Sequence, residues 1–271
     1  MKKSPILSEA EVRRYRADGF LIPNYRLTAD VVGRLKAATD QLIEDRPDLV
    51  DHPIIGPHLP GGGMHGLHAD PAFLEVSVYP EILDVIEQLV GPDLILWNTL
   101  MFYKRATEGP SVPWHRDGFG YPIDPIATTS IWIAVTNSTT DNGCLRFIPG
   151  SHLTTDPGVH DSTPKSGEMF SGSLDAASFD ESSAVDAVLE PGQFVIFDVY
   201  TIHGSQPNSG AEPRAGFTCR YMPATSIYDH GKAEVRDQPG YGHESRALTL
   251  VRGQDRSGRN DFELGHARIN A

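Results

Sequence analysis

The metal-binding chemistry that this sequence can support is most visible in two copies of the pattern His-x-Asp. One copy is His115 and Asp117 in "VPWHRDGFGY", and the other is His68 and Asp70 in "LHADP". An imidazole and a carboxylate at positions i and i+2 of an extended segment point to the same face and can bind one ion together. In a chain with 11 histidines, composition alone yields about one such pair. The surrounding sequence must therefore distinguish the two copies.

The contexts of the two pairs differ. Asp70 precedes Pro71, which is typical of a helix N-cap followed by proline at the first helical position. The ordinary interpretation of His68 and Asp70 is thus a helix cap with a neighbouring polar side chain. His115 and Asp117 lie at the end of a predicted strand, where an unpaired aspartate facing an apolar interior would be costly. A metal ion would remove that cost, so we predict that His115 and Asp117 bind the metal.

A third ligand and a partner for an organic acid follow later in the chain. His203 lies in "FDVYTIHGSQPNSG", at the expected end of another core strand. Two imidazoles and one carboxylate form the facial triad of non-haem Fe(II) oxygenases, which leaves open positions for a co-substrate and O2. Arg214 follows His203 by 11 residues, and its guanidinium could hold a buried carboxylate of 2-oxoglutarate through two parallel hydrogen bonds.

Composition excludes several classes of partner. The net charge is −13 with scattered acidic residues, which argues against nucleic acid and anionic membranes as partners, since nucleic acid requires a basic stripe. No apolar run approaches the length of a membrane span, and the N-terminus lacks the apolar region of a signal peptide. The two cysteines are typical of a reducing compartment. We expect a cytoplasmic monomer or homodimer that acts on a small-molecule substrate.

Helices are predicted first along the chain. Ser8 and Glu11 form a capping-box pattern, and Gly19 is placed to end that helix. A second helix is expected to begin after Thr28 and to end before Pro47. The segment "YPEILDVIEQLVGP" predicts a third helix, and residues 50–66 are rich in turn-forming residues.

Short strands are predicted after residue 92, where the hydrophobic period changes. They are "DLILWNTLMFYK", "ATTSIWIAVTN", "CLRFI", "AVLE" and "QFVIFD" across a Pro-Gly turn, and "RAGFTCRYM". This order predicts a mainly β fold with flanking helices, namely a double-stranded β-helix (jelly-roll, cupin-like) barrel. We expect one domain over 1–271, with a helical part at 1–91, a barrel core at 92–225, a lid-like insertion at 153–184 and an irregular tail at 226–271.

Several blocks in this order resemble the phytanoyl-CoA dioxygenase (PhyH) family of Fe(II)/2-oxoglutarate-dependent oxygenases. They are "ADGFLIP", "VPWHRDG", "IWIAVTNSTTDNGCLRFIPGSH", "PGQFVIFDVYTIHGSQPNSG" and "RAGFTCRYMP". The resemblance spans roughly residues 8–225. It implies a dioxygenase that uses Fe(II), 2-oxoglutarate and O2 and releases succinate and CO2.

The resemblance also implies roles for individual residues: iron ligands His115, Asp117 and His203, and co-substrate contacts Arg214, Ser205 and Trp132. Halogenases of the family have Gly or Ala at the position of Asp117, so its presence here implies a hydroxylase that attacks an unactivated C–H bond. The alternative is a non-catalytic jelly-roll module that binds a metal or ligand.

Substrate contacts are the least constrained part of the prediction. We expect Asn98, Tyr103, Lys104 and Tyr121 to reach the pocket mouth, and Arg220 to face inward from the last strand. Trp114 and Phe119, together with Tyr121, are expected to wall the site, and His160 and Met169 are expected to approach the substrate from the lid. The expected substrate is a small polar compound, such as an organophosphonate, or a natural-product intermediate.

Overall fold

The computed structural model describes residues 5–50, 52–59, 67, 70–118, 120–155, 160, 161, 163, 165–232 and 242–263.

Helices occupy the first third of the chain. Its α-helices are α1 (Glu9–Asp18), α2 (Ala29–Asp45), α3 (Pro71–Ser77) and α4 (Pro80–Val90). Short 3-10 helices are Pro47–Leu49, Ser151–Leu153, Ala176–Ser178, Glu181–Ser183 and His243–Ser245.

Strands make up most of the rest. They are β1 (Phe20–Leu21), β2 (Ile54–Ile55), β3 (Leu94–Lys104), β4 (Val112–His115), β5 (Ile123–Asp124), β6 (Thr129–Ala134), β7 (Leu145–Phe147) and β8 (His160–Asp161). They continue with β9 (Ser173–Leu174), β10 (Val185–Ala187), β11 (Phe194–Asp198), β12 (His203–Ser205), β13 (Arg214–Pro223), β14 (Ile227–Tyr228) and β15 (Thr249–Arg252).

Two antiparallel sheets form the barrel. The larger has the order β1-β11-β6-β13-β3-β15, with β2 also paired to β3, and the smaller has the order β10-β7-β12-β4. Two further pairs, β5 with β14 and β8 with β9, lie outside these sheets. Strands that are neighbours in the chain often belong to different sheets, as in a jelly roll, and the predicted fold class is confirmed.

Side-chain alternation in the larger sheet separates the outer core from the barrel interior. In β6, Ile131 and Ile133 belong to the cluster that also contains residues of α2 and α4. Trp132 and Ala134, between and after them, pack instead with Phe147 of the smaller sheet. Successive side chains of a strand point to opposite faces, so the helices cover the outer face and the inner face is left to line a cavity.

Local capping chemistry forms as the sequence predicts. Ser8 and Glu11 make the reciprocal capping box of α1, and Gly19 ends the helix in the left-handed conformation, with φ of 81°. The side chain of Thr28 caps α2. Asp70 accepts a hydrogen bond from the backbone N–H of Ala72 at 2.8 Å at the start of α3, so it serves as the predicted helix cap.

Three predictions for local structure are wrong. Residues 54 and 55, in the predicted loop, form β2 along β3. The "irregular" tail contains β14 and β15, and β15 pairs with β3 at the edge of the larger sheet. His203 begins the short strand β12 rather than ending the strand before it. Each of these strands has two to four residues, too few for a hydrophobic period to predict.

No helix in the part of the chain that the structure describes has both the length and the apolar character needed to cross a membrane.

Candidate active site

A cavity lies between the two sheets. The space that it offers, including open solvent at its mouth, is about 1000 Å³. Its lining includes Trp97, Asn98, Leu100, Phe102, His115, Asp117, Tyr121, Trp132, Phe170, His203, Ser205, Arg214, Thr218, Arg220, His243 and Arg246. The predicted metal ligands and the predicted co-substrate residues therefore face one space.

The three predicted metal ligands are brought together by strand pairing. His115, the last residue of β4, is the direct Cα partner of His203, the first residue of β12. Asp117 follows two residues after β4. One potential ligand atom from each residue lies within 4.8 Å of the others, and all three side chains are buried.

Backbone contacts set the tautomer of both imidazoles. Nδ1 of His115 lies 2.8 Å from the carbonyl oxygen of Pro113, and Nδ1 of His203 lies 3.0 Å from that of Thr201. A carbonyl oxygen can only accept, so in each neutral ring Nδ1 carries the hydrogen and Nε2 presents a lone pair. Burial and the neighbouring His115 lower the pKa of His203 to about 3, so its ring is neutral at physiological pH and could bind a metal without losing a proton.

The carboxylate of Asp117 is held from one side only. Arg220 donates from Nη2 to Oδ1 at 2.7 Å, while Oδ2 is buried and has no hydrogen-bond partner among the described residues. Burial raises the pKa of Asp117, but the charge of Arg220 and the nearby histidines outweigh it and hold the pKa well below its ordinary value. Two imidazole lone pairs and one unpaired carboxylate oxygen are the donor set that fits Fe(II).

A second subsite surrounds Arg214, the first residue of β13. Its side chain is 1% exposed, and its guanidinium lies over the ring of Trp132 at 5.1 Å from the centroid. Within the described part of the chain, Nε and Nη1 have no hydrogen-bond partner. An ideal Cβ at Gly216 would lie 1.8 Å from the Trp132 ring, so the glycine makes room for this indole. The unpartnered buried nitrogens fit the distal carboxylate of 2-oxoglutarate.

Comparison with known proteins agrees with this geometry. The family model for phytanoyl-CoA dioxygenase (PhyH) matches residues 15–216. The chain belongs to the phytanoyl-CoA dioxygenase family. It is 26% identical over 258 residues to the Dictyostelium discoideum "phytanoyl-CoA dioxygenase domain-containing protein 1 homolog", covering 80% of this chain and 91% of that one. Several other curated relatives are matched over only about half of their own length.

Two solved structures show the same fold. The apo form of the non-haem monooxygenase ThoJ is 25% identical, with a TM-score of 0.72 over 95% of this chain and 87% of that one. CytC3 with Fe(II) and alpha-ketoglutarate is 24% identical, with a TM-score of 0.67 over 95% and 94%. As a member of this family, the chain is a 2-oxoglutarate-dependent non-haem iron dioxygenase, with Fe(II) as its cofactor and 2-oxoglutarate as a co-substrate.

Among the predicted substrate contacts of this dioxygenase, three line the cavity. Asn98 and Tyr121 do so directly. Arg220 also lines the cavity, but its guanidinium is bound to Asp117 and lies over the rings of Trp97 and Tyr121 at 5.8 and 5.3 Å. Arg220 therefore holds the carboxylate of the predicted ligand Asp117.

The other two predicted substrate contacts, Tyr103 and Lys104, do not reach the cavity mouth. Tyr103 packs against the outer apolar cluster, because the alternation of β3 places it opposite its inward-facing neighbours. Lys104 is fully buried behind the cavity and donates to Ser205. The expectation that Trp114 walls the site is also wrong: alternation points it away from His115, and its ring lies 5.4 Å from Phe179.

Several cavity residues were missed by sequence reasoning. Arg246, from the tail, donates to Oδ1 of Asn98 at 2.9 Å. Phe170, from the insertion, meets the ring of His115 edge-on at 5.0 Å, whereas its predicted neighbour Met169 is buried outside the cavity lining. The short run "ALTLV" before Gly253 is the one signal for a strand that could have placed Arg246.

Between the two residues of the His-x-Asp pair, Arg116 makes backbone contacts that the sequence did not suggest. Its Nη1 donates to the carbonyl oxygens of Ser151 and Thr154, each at 2.8 Å, and to that of Tyr200. This guanidinium ties the start of the insertion to the loop before His203. His68, Phe119 and the side chain of His160 lie outside the described residues.

Proposed function

We propose that this dioxygenase hydroxylates an unactivated C–H bond of a small-molecule metabolite, with 2-oxoglutarate and O2 as co-substrates and succinate and CO2 as products. One observation carries the proposal. The cavity that gathers three ligand atoms within 4.8 Å is also lined by Arg214, whose buried Nε and Nη1 have no partner among the described residues. A bound metal would engage the three ligand atoms, and the distal carboxylate of a keto acid that chelates the metal would pair with the nitrogens of Arg214.

In this proposal the iron, when bound, supplies the site at which 2-oxoglutarate and O2 react. The protein positions groups and excludes water. His115 and His203 present Nε2 because backbone carbonyls hold Nδ1. Arg220 occupies Oδ1 of Asp117, and Oδ2, which has no hydrogen-bond partner among the described residues, would be the oxygen that holds the metal. Hydroxylation, rather than halogenation, is supported by the presence of this carboxylate.

The proposed substrate is a small polar compound, such as an organophosphonate, or a natural-product intermediate. The cavity offers polar groups beyond those assigned to the metal and 2-oxoglutarate, namely the hydrogen-bonded pair of Arg246 and Asn98 and the neighbouring His243. A few convergent polar groups in a mainly apolar pocket are typical of small-molecule sites.

We further propose that the protein acts as a monomer or homodimer in the cytoplasm, without nucleic acid or membrane partners. The net charge of −13 disfavours both polyanionic partners. The two cysteines, Cys144 and Cys219, are buried free thiols, as expected in a reducing compartment.

The test of the proposal is anaerobic addition of Fe(II) and 2-oxoglutarate, followed by exposure to O2. We expect a metal-to-ligand charge-transfer band before O2 is admitted, and succinate afterwards, with a faster rate when a suitable metabolite is present. A non-catalytic binding module would bind the metal and release no succinate. Absence of the charge-transfer band would contradict the proposal.

We also propose that the insertion at 153–184 closes over the site. Its middle part already contacts the barrel: the backbone N–H of Met169 donates to the carbonyl of Ser111 at 2.8 Å, and that of Ser111 donates to Gly167 at 2.9 Å. The adjacent Phe170 touches His115. Closing loops protect reactive intermediates from water.

Limited proteolysis provides the test of this closure. Lys165 is an exposed trypsin site within the insertion, and we expect cleavage after it to slow when Mn(II), 2-oxoglutarate and a metabolite that supports turnover are all bound. The control is Phe170→Ala, which should bind the metal but lose the protection because it lacks the contact with His115. Equal cleavage with and without ligands in the unmodified protein would make the insertion a passive surface loop.

A further inference from the structure

Lys104, the last residue of β3, is the least expected charged side chain near the site. Its relative exposure is 0%. Its Nζ donates to Oγ of Ser205 at 2.7 Å and to the backbone carbonyl of Gln206. Lysine is almost never fully buried unless it is paired, and both of these acceptors are neutral.

A second cation lies directly across the sheet. Lys104 is the Cα partner of Arg214 in the antiparallel pair of β3 and β13, and the guanidinium of Arg214 is also buried. Like charges directly opposite each other destabilise a sheet, and burial increases the cost of each. An anion bound close to both would offset both costs, and the cavity beside Arg214 and Ser205 is where the distal carboxylate of 2-oxoglutarate is proposed to bind.

Ser205 connects Lys104 to that cavity. Its Oγ accepts from the amine of Lys104, so the hydroxyl hydrogen is directed elsewhere, and Ser205 lines the cavity together with Arg214. A hydroxyl that accepts from a cation is a stronger donor, because the two hydrogen bonds polarise each other. Lys104 thus orients Ser205 to donate to a carboxylate.

The amine fits closely against the turn before β7. An ideal Cβ at Gly143 would lie 3.1 Å from Nζ of Lys104 and 2.3 Å from the carbonyl oxygen of Gln206, so the glycine leaves room for the amine. The titratable and charged groups that face it are Arg214 from β13 and the thiol of Cys144 from this turn. Burial, followed by the charge of Arg214, lowers the pKa of Lys104 to about 6.

We propose that Lys104 is a positioning residue of the co-substrate subsite, which takes up a proton from solvent when the distal carboxylate of 2-oxoglutarate binds beside Arg214 and Ser205. This inference rests on the proposed function. The neutral amine has two hydrogens for the two acceptors, Ser205 and Gln206, and the added proton gives a positive charge that the carboxylate neutralises. Binding of the co-substrate is therefore coupled to pH.

The sign of the coupling follows from linkage. Below pH ~6 the amine is already protonated in the free protein, so no proton is taken up and the affinity for 2-oxoglutarate is constant. Above that pH the free amine is neutral and binding must recruit a proton. The affinity should then fall by up to about tenfold per pH unit until the pKa of the complex is reached.

Calorimetry of the Mn(II)-loaded protein tests this, with Mn(II) in place of Fe(II) to prevent turnover. Titration of 2-oxoglutarate at pH 7.5, in two buffers of different ionisation enthalpy, measures the protons taken up on binding. We expect close to one proton for 2-oxoglutarate. Pyruvate has the keto acid but no distal carboxylate, so it reports the protons that belong to the metal site, and we expect it to lack this uptake.

Two variants separate the charge from the hydrogen bond. Lys104→Gln can still donate to Ser205 but cannot take up a proton, so its affinity for 2-oxoglutarate should be independent of pH between 6 and 8.5. Lys104→Met loses both functions and should bind more weakly than Lys104→Gln at every pH, again without a pH profile. Both variants should bind Mn(II) and pyruvate as the unmodified protein does.

The outcomes distinguish this inference from the proposed function. If the unmodified protein binds Mn(II) but not 2-oxoglutarate, the proposed function fails. If 2-oxoglutarate binds with the same proton uptake and the same pH profile in the unmodified protein and in Lys104→Gln, the role of Lys104 is overturned and the proposed function stands. A purely structural lysine would change stability without changing the proton count.

Discussion

The His115→Ala variant is expected to lose Fe(II) binding and turnover completely. His115 supplies one of three potential ligand atoms that lie within 4.8 Å of one another, and the other two alone leave the ion with one imidazole and one carboxylate. The metal content, measured by equilibrium dialysis under argon, should fall from one Fe(II) per chain to none. Succinate release should fall with it.

His68→Ala is the matched control, because it removes the histidine of the other His-x-Asp pair. The aspartate of that pair caps α3 through its bond to Ala72, so its carboxylate is already used for folding. We expect the variant to bind Fe(II) as the unmodified protein does. A folded His68→Ala protein that has lost the metal, beside a His115→Ala protein that retains it, would reverse the assignment.

The juxtaposition of His115, Asp117 and His203 could be predicted because the His-x-Asp pair lies between two strands with a clear hydrophobic pattern and His203 follows another. "SIWIAV" and "QFVIFD" each specify a buried strand, and a jelly roll brings the ends of such strands together. The pairing of His115 with His203 was not itself predictable, since register depends on turns and on the partner strand.

Contacts between distant residues account for what sequence reasoning missed. Arg220 and Asp117 are 103 residues apart, Lys104 and Ser205 are 101 apart, and Arg246 and Asn98 are 148 apart. No local sequence pattern predicts which distant residue a buried cation will contact. A polar residue on a core strand was therefore assigned to the substrate, although Lys104 and Arg220 contact other protein groups.

The error at Tyr103 has a different cause. Lys104 and Tyr103 were both expected at the cavity, yet adjacent residues in a regularly paired stretch of strand point to opposite faces. The alternation of β3 was available in the sequence, where Asn98, Leu100 and Phe102 define the inward row that the cavity lining confirms. Applying the strand period to polar residues as strictly as to apolar ones would have excluded Tyr103.

Arg214→Ala is expected to weaken 2-oxoglutarate binding strongly while leaving the metal site intact. Removing one partner of a buried charged pair costs on the order of 2–5 kcal/mol, which corresponds to about 30-fold or more in affinity. The dissociation constant can be read from the charge-transfer band during an anaerobic titration with 2-oxoglutarate. Fe(II) affinity should change little, because Arg214 is not among the three ligand residues.

The comparison with Arg214→Lys separates charge from geometry in this subsite. Lysine keeps the positive charge but cannot form two parallel hydrogen bonds to one carboxylate, and it cannot stack on Trp132 as the guanidinium does. We therefore expect an affinity between those of the unmodified protein and Arg214→Ala. An unchanged 2-oxoglutarate affinity in Arg214→Ala would remove this residue from the site. Equal losses in the two variants would mean that the fork geometry, rather than the charge, selects a carboxylate at the base of the cavity.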